Sequence, residues 1–162
     1  MSSKVEGDQP TFLREARLHH LGIAVRSISE IAEGFHRSMF LQWDRRVIHD
    51  PIQQVNVSFF VPVDSSAPQF ELVEAAGKAS PVSAFLDKGG GLHHLCYEIQ
   101  GLDRALGEAR KAGFVVLRHP APAVAFEGRR IAWLGSRWRL TIELLERCGA
   151  ERTSGKDNVE SA

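Results

Sequence analysis

Apolar and polar residues alternate through Leu18–Val25 ("LHHLGIAV") and again through Leu92–Ile99 ("LHHLCYEI"), the two-residue period of half-buried strands. A stretch of helical period follows each. In "SISEIAEGFHRSMF", Ile28, Ile31, Phe35 and Met39 recur at helical spacing behind Ser27 or Ser29 as the N-cap. In "GLDRALGEARKAG", Leu102, Ala105, Leu106 and Ala109 do the same, and Gly113 supplies the stop. Strand-like runs come next, "VNVSFFV" and "QFELVEA" in the first half, "RRIAWL" and "RLTIELLE" in the second. Each half therefore reads as strand, helix, then two or three strands. Between the halves, "SPVSAFLDKGGG" predicts a short helix over about 81–88 and a glycine joint at 89–91.

This order is a duplication. His94 follows His20 by 74 positions, Glu143 follows Glu71 by 72, and the halves share the texts "LHHL" and "EL(V/L)E". So long a period in two copies points to paired βαβββ modules rather than a solenoid. The expected fold class is α+β, one domain over 16–147, with modules at about 18–76 and 92–147 joined by a linker over 77–91. Segments 1–15 and 148–162 are expected to be a flexible N-terminal segment and a disordered tail, since neither holds enough apolar surface to offset its ordering entropy.

Composition narrows the function classes. With 162 residues, 43% hydrophobic and 25% charged, the chain has the balance of a soluble globular domain. Twenty basic residues against twenty acidic ones argue against nucleic acid as a partner. No apolar run reaches bilayer length and no signal-peptide core is present, so no membrane partner and a cytoplasmic location are expected. Cys96 and Cys148 lack the CxxC spacing of a disulfide framework or zinc knuckle.

Alternation separates the members of each histidine doublet. His19 shares a face with Leu21, Ile23 and Val25, whereas His20 shares the other with Gly22 and Ala24, small residues that leave room. Likewise His93 goes with Leu95, Tyr97 and Ile99, and His94 with Cys96 and Glu98. His20 and His94 are thus expected in a cavity, and His19 and His93 in helix packing. Each half ends with an acid inside an apolar strand, Glu71 and Glu143, which is costly to bury unless paired or bound to a cation. Glu74 and Glu146 end those strands and reach solvent more easily. Two imidazoles and two carboxylates converging about a pseudo-twofold axis form an N2O2 set for one divalent metal ion, with positions left for water or substrate. Cobalt, nickel, zinc, manganese and iron(II) all suit such a set. Cys96 reads as a small hydrophobe, and the pairs Arg45/Arg46, Arg129/Arg130 and Arg137/Arg139 as solvated surface charges that leave phosphate binding open.

The same residues resemble the vicinal oxygen chelate (glyoxalase/bleomycin resistance/dioxygenase) superfamily. In that superfamily paired βαβββ modules form a curved, partly open mixed sheet around a metal site. The resemblance runs from about Leu18 to Glu146. "HHLGIAV", "FELVEA", "SPVSAFLDKGGGLHHLCYEI", "GRRIAWL" and "TIELLE" follow the order and approximate spacing of its methylmalonyl-CoA epimerase members, "SP…FL…GGGLHH" being the most specific. It implies His20, Glu71, His94 and Glu143 as metal ligands, with Glu71 standing where some epimerases have glutamine. Glu143 would be both ligand and catalytic base. The implied activity is that of an isomerase, a metal-dependent epimerase or racemase of a small acyl-CoA, most of all methylmalonyl-CoA. It would abstract the proton next to the thioester through a metal-stabilised enolate. The implied partners are the acyl thioester and a second copy in a homodimer.

Two features depart from the pattern. Val57 falls near the position where some epimerases carry a second catalytic glutamate, and 52–63 contains no acid; a one-residue slip offers Asn56 or Ser58. "LGSRWRL" replaces the usual "HP-K-GG" text before the last strand. A glyoxalase-I-like lyase is the alternative activity, lowered by the lack of the "DPDG" text. A binding member without catalysis is the other, and the presence of all four candidate ligands counts against it.

Overall fold

The two histidine-bearing stretches become the two central strands of a nine-stranded mixed sheet in the computed structural model, which describes residues 12–148. The first half comprises β1 (Arg17–Ala24), α1 (Ile28–Ser38), β2 (Leu41–Trp43), β3 (Ile48–Asp50), β4 (Val55–Pro62) and β5 (Gln69–Ala75). A short helix α2 (Ser83–Leu86) lies in the linker. The second half comprises β6 (Gly91–Ile99), α3 (Leu102–Lys111), β7 (Val115–Pro122), β8 (Arg130–Gly135) and β9 (Thr141–Glu146), with a single 3-10 turn at Val124–Phe126.

Strand order is β2-β4-β5-β1-β6-β9-β8-β7. β1 runs parallel to β5, β6 runs parallel to β9, and β1 and β6 meet antiparallel at the centre. The two halves are thus related as a pseudo-twofold pair, as the duplication predicts. The first half has one more strand than expected. β3 pairs with Val55–Val57 and β2 with Phe60–Pro62, so together they stand along one edge of β4 as a broken counterpart of β7. Three residues each is too short for alternation to register.

One sheet face carries the helices. Ile28 and Ala32 of α1 pack on Leu41, Phe60 and Leu72, and Leu102, Ala105, Leu106 and Ala109 of α3 pack on Ala132, Leu134, Ile142 and Leu144. Each large apolar side chain so buried contributes about 1.5–3 kcal/mol. Of the two N-cap candidates Ser27 holds the place, its hydroxyl accepting from the amide of Glu30. Gly113 ends α3 with a left-handed φ of +82°.

The opposite face is left to the cavity. It is floored by two smaller apolar groups, Ala24, Val55, Val57, Val73, Val82 and Leu86 in one half, and Cys96, Ala123, Phe126, Ile131 and Leu145 in the other. Of the expected flexible segment 1–15, residues 1–11 lie outside the described residues, as do 149–162 of the expected tail. Where the N-terminal segment is described, Phe12 packs edge-on against Phe114 at 5.1 Å and joins the α3 core with Leu13.

Candidate metal centre

Register places the four chemistry-bearing residues in two matched rows across the sheet. One row runs His94, Gly22, Glu71 over β6, β1 and β5; the other runs His20, Cys96, Glu143 over β1, β6 and β9. Residues in one row share a face, so a histidine and a glutamate flank a small residue in each. The small residue is needed: a Cβ on Gly22 would lie 1.9 Å from Cε1 of His94. An aromatic ring stands beyond each carboxylate, Phe59 opposite Glu71 and Trp133 opposite Glu143.

The donor atoms converge. Nε2 of His20 lies 3.1 Å from Nε2 of His94, 3.3 Å from Oε2 of Glu71 and 3.2 Å from Oε2 of Glu143. Nε2 of His94 lies 3.3 Å and 3.5 Å from the same two oxygens. None of the four residues can be solvated, with exposures of 0%, 1%, 5% and 3% for His20, His94, Glu71 and Glu143. All four residues predicted from the sequence are therefore brought to one point.

This point fits a divalent metal ion. Bonds of about 2.0–2.1 Å from one ion would space its ligand atoms by about 3 Å, as found between each histidine and its neighbours; His20, His94 and Glu143 form the tight donor group, and Glu71 joins it through its contacts with the two histidines. Oε2 of Glu143 is buried without a hydrogen-bond partner, an unmet acceptor at the point where the imidazole nitrogens converge. Imidazole nitrogen and carboxylate oxygen together suit zinc and its first-row neighbours. Among the described residues one other three-donor group occurs, His19, His20 and Cys96, which shares His20. Burial pushes the Cys96 thiol well up, so it is a packed neutral group rather than a thiolate ligand.

Electrostatics bind the four together. Burial opposes a proton on His20, but the carboxylates of Glu71 and Glu143 outweigh it and raise its pKa well above the usual value. For His94, too, burial is overcome, by the facing carboxylates of Glu143 and Glu71. Burial favours the neutral forms of Glu71 and Glu143, yet the two imidazoles hold both below the ordinary carboxylate range.

The first histidine of each doublet packs as expected, but not under the long helix of its module: His93 meets Phe85 of α2, and His19 meets Phe126. Between β1 and β6 the register slips twice. Leu18 pairs with Tyr97 and His20 with Cys96, so His19 is an extra residue; Gly22 pairs with His94 and Ile23 with Leu92, so His93 is another. Each is a β-bulge, which re-aims a side chain that strict alternation would send to the opposite face. His19 Nδ1 thereby lies 2.9 Å from His20 Nδ1, and His93 Nδ1 lies 3.0 Å from His94 Nδ1. Burial first, then the neighbouring histidine, lowers the pKa of both His19 and His93 to about 4.

A cavity of about 380 Å³ opens over the centre. Val55, Val57 and Val73 line it from the first half; Leu117, Arg118, Ile131, Trp133 and Thr141 line it from the second. Val57 faces the cavity where the sequence left a second base open. Neither neighbour substitutes for it: Asn56 is held by Glu74 and His49, and Ser58 by Trp43 and the carbonyl of Arg46. Sequence reasoning missed Asp50, a cavity residue whose Oδ1 accepts from the amides of Ile52 and Gln53 and whose Oδ2 accepts from Val124. Its signal is the Asp-Pro turn opener in "HDPIQQ". Trp133 was also missed, although it alternates with Ile131 and faces Glu143 in register. Of the arginine pairs, Arg45 is engaged by Glu33, Arg129 by Glu98, and Arg130 by Glu146 and Asp103.

Known proteins share this arrangement of chain. The Ethylmalonyl-CoA/methylmalonyl-CoA epimerase of Cereibacter sphaeroides is 28% identical over 120 residues, which cover 73% of this chain and 87% of that one. The mitochondrial methylmalonyl-CoA epimerase of Mus musculus is 32% identical over 97 residues, 59% of this chain, and the match spans about half of that longer protein (52%). The crystal structure of methylmalonyl-CoA epimerase from Mycobacterium tuberculosis superposes with a TM-score of 0.67 at 24% identity, covering 82% of this chain and 89% of that one, a likeness of fold. A family model spans residues 19–133, from the first doublet to the tryptophan beside Glu143, and by it the chain belongs to the Glyoxalase/Bleomycin resistance protein/Dioxygenase superfamily.

Proposed function

We propose that this chain is a metal-dependent epimerase of a small 2-substituted acyl-CoA, methylmalonyl-CoA above all. The observation that carries the reading is the convergence of His20, Glu71, His94 and Glu143 beneath one cavity, in a chain 28% identical to an epimerase over 120 residues. Those four residues would hold one divalent ion, whose Lewis acidity at the thioester and carboxylate oxygens offsets the charge that develops when C2 loses its proton.

The chain's own residues move that proton. Glu143 takes it on its carboxylate: the C2–H bond breaks, and its electron pair shifts toward the thioester oxygen as the C1–C2 bond gains double character. Inversion requires return of a proton to the opposite face. Three acids line the cavity, Asp50, Glu71 and Glu143, and Asp50 is committed to three backbone amides. Glu71, presented from the other half of the molecule, is the acid left for that face; resting as a carboxylate, it would have to take up a proton from solvent before substrate closes the cavity, and that proton is the one it returns to C2 while Glu143 keeps the one it removed. Val55, Val57 and Val73 form an apolar bed for the C2 substituent and keep water from the carbanionic carbon.

Deuterium exchange tests this reading. In D2O the cobalt-loaded protein should place deuterium at C2 of methylmalonyl-CoA and interconvert its epimers, and Glu143→Gln should slow exchange by at least about 100-fold. Absence of exchange with fully metallated protein would exclude methylmalonyl-CoA as substrate.

A further inference from the structure

The four donors account for only the second histidine of each doublet. His19 and His93 are the extra residues of two bulges that occur at matching places in the two halves. A bulge gives up ladder pairing, and simple packing under a helix needs none. Each bulge instead sets one imidazole nitrogen against another, at 2.9 Å in the first half and 3.0 Å in the second.

We infer that His19 and His93 are positioning residues, which lock His20 and His94 as Nδ1–H tautomers and so aim both Nε2 lone pairs at the metal. The inference rests on the metal reading above. A neutral imidazole has one N–H and one lone pair; if Nε2 is the ligand atom, Nδ1 carries the hydrogen and must donate it. Nδ1 of the preceding histidine is the acceptor in both halves. Ring contacts hold the acceptors in place: His19 meets Phe126 edge-on at 5.6 Å, and His93 meets Phe85 at 5.0 Å.

The choice of histidine over a carboxylate as acceptor has a physical consequence. Two ligand carboxylates already balance a dication, so further acids behind the histidines would bury uncompensated negative charge. A neutral imidazole acceptor orients the ligand and leaves the net charge of the site at zero. Outer partners of this kind ordinarily contribute about 10–100-fold to metal affinity.

Zinc alone is the probe, with full-length protein and a competing chelator to measure affinity. His19→Leu and His93→Leu remove the acceptor, whereas His19→Asn and His93→Asn keep an acceptor oxygen close to the place of Nδ1. Each leucine variant should bind zinc about 10–100-fold more weakly, and each asparagine variant within a few-fold of the parent. In the zinc-loaded parent, long-range 1H–15N spectra should show a protonated Nδ1 and a metal-bound Nε2 on both His20 and His94, a readout that needs no variant. Equal affinity in parent and leucine variants, equal losses in leucine and asparagine variants, or ligation through Nδ1 would overturn the inference. A parent that binds no zinc, with His94→Ala behaving identically, would overturn the metal reading itself and this inference with it. That outcome is distinct from losses confined to the doublets.

Discussion

Glu71 and Glu143 hold matched places in the two halves, each on the strand parallel to a histidine-bearing strand and each beside an aromatic ring, yet the walls around them have diverged. Val55, Val57 and Val73 face the cavity from the first half; Leu117, Arg118, Trp133 and Thr141 face it from the second. One physical difference explains why one part of the repeat is retained and the other is not. An ion accepts donors only at short, nearly equal distances, so donors from both halves must stay in register. A chiral substrate has no twofold axis, and a cavity for it gains nothing from matching walls. On the proposed function, symmetry marks the part of the site that would hold the metal, and asymmetry the part that would meet the substrate.

The small residue between each histidine and glutamate is where this comparison is most easily broken. Gly22 in one row and Cys96 in the other are equivalent, but only Gly22 has a ring in the space a side chain would fill, 1.9 Å from its absent Cβ. Gly22→Ala should displace His94 by more than a bond length and lower both zinc affinity and epimerisation by at least about 100-fold. Cys96→Ala only trims a buried thiol and should change either by less than about tenfold. Chelator competition and exchange kinetics on both variants check this; equal losses would show that the rows are not distinguished by the space between strands.

The protons on the two histidines come next. Both His20 and His94 have raised pKa values, so each holds a proton to higher pH than a free imidazole does, and an ion taken at Nε2 would have to displace whatever proton is there. Apparent zinc affinity should therefore increase with pH by up to about tenfold per unit for each proton displaced. The rise should continue above pH 6.5, the ordinary histidine value, instead of levelling there. Calorimetry in buffers of different ionisation enthalpy counts the protons released.

What was legible in the sequence follows the same division. The donors, both core helices and the paired modules could be read because period-two and helical patterns recur at a fixed offset, and repetition distinguishes His20 and Glu71 from chance residues in strands. The roles of His19 and His93 could not, because a bulge is a property of the pairing between β1 and β6 and leaves no trace in either strand alone. Asp50 and the broken edge strand were missed for other reasons: the amide of Val124 that Asp50 accepts from is 74 residues away, and the two edge pieces are three residues each, too short for alternation to show.

The strand-end acids give the smallest effect and extend the comparison beyond the metal. Glu74 and Glu146 look solvent-directed in the sequence, but each is bonded to the first amide of its module's helix. Oε2 of Glu74 accepts from Ile28 at 2.6 Å, and Glu146 accepts from Leu102 at the start of α3. A carboxylate there caps orphan N–H groups and opposes the helix dipole, so replacing either by alanine should cost about 1 kcal/mol. Only the second half adds a cation: Arg130 donates to Glu146 through Nε at 2.8 Å and Nη2 at 2.7 Å. Hydrogen bonding to Arg130 outweighs burial and holds the Glu146 carboxyl below 4.5. A depressed carboxyl stabilises the fold above its unfolded value and loses that contribution as pH falls through its folded value. The difference in melting temperature between the parent and Glu146→Ala should thus be full at pH 6 and shrink below pH 4.5. A difference that stays constant down to pH 3 would mean that the helix contact, shared with Glu74, outweighs the arginine peculiar to the second half.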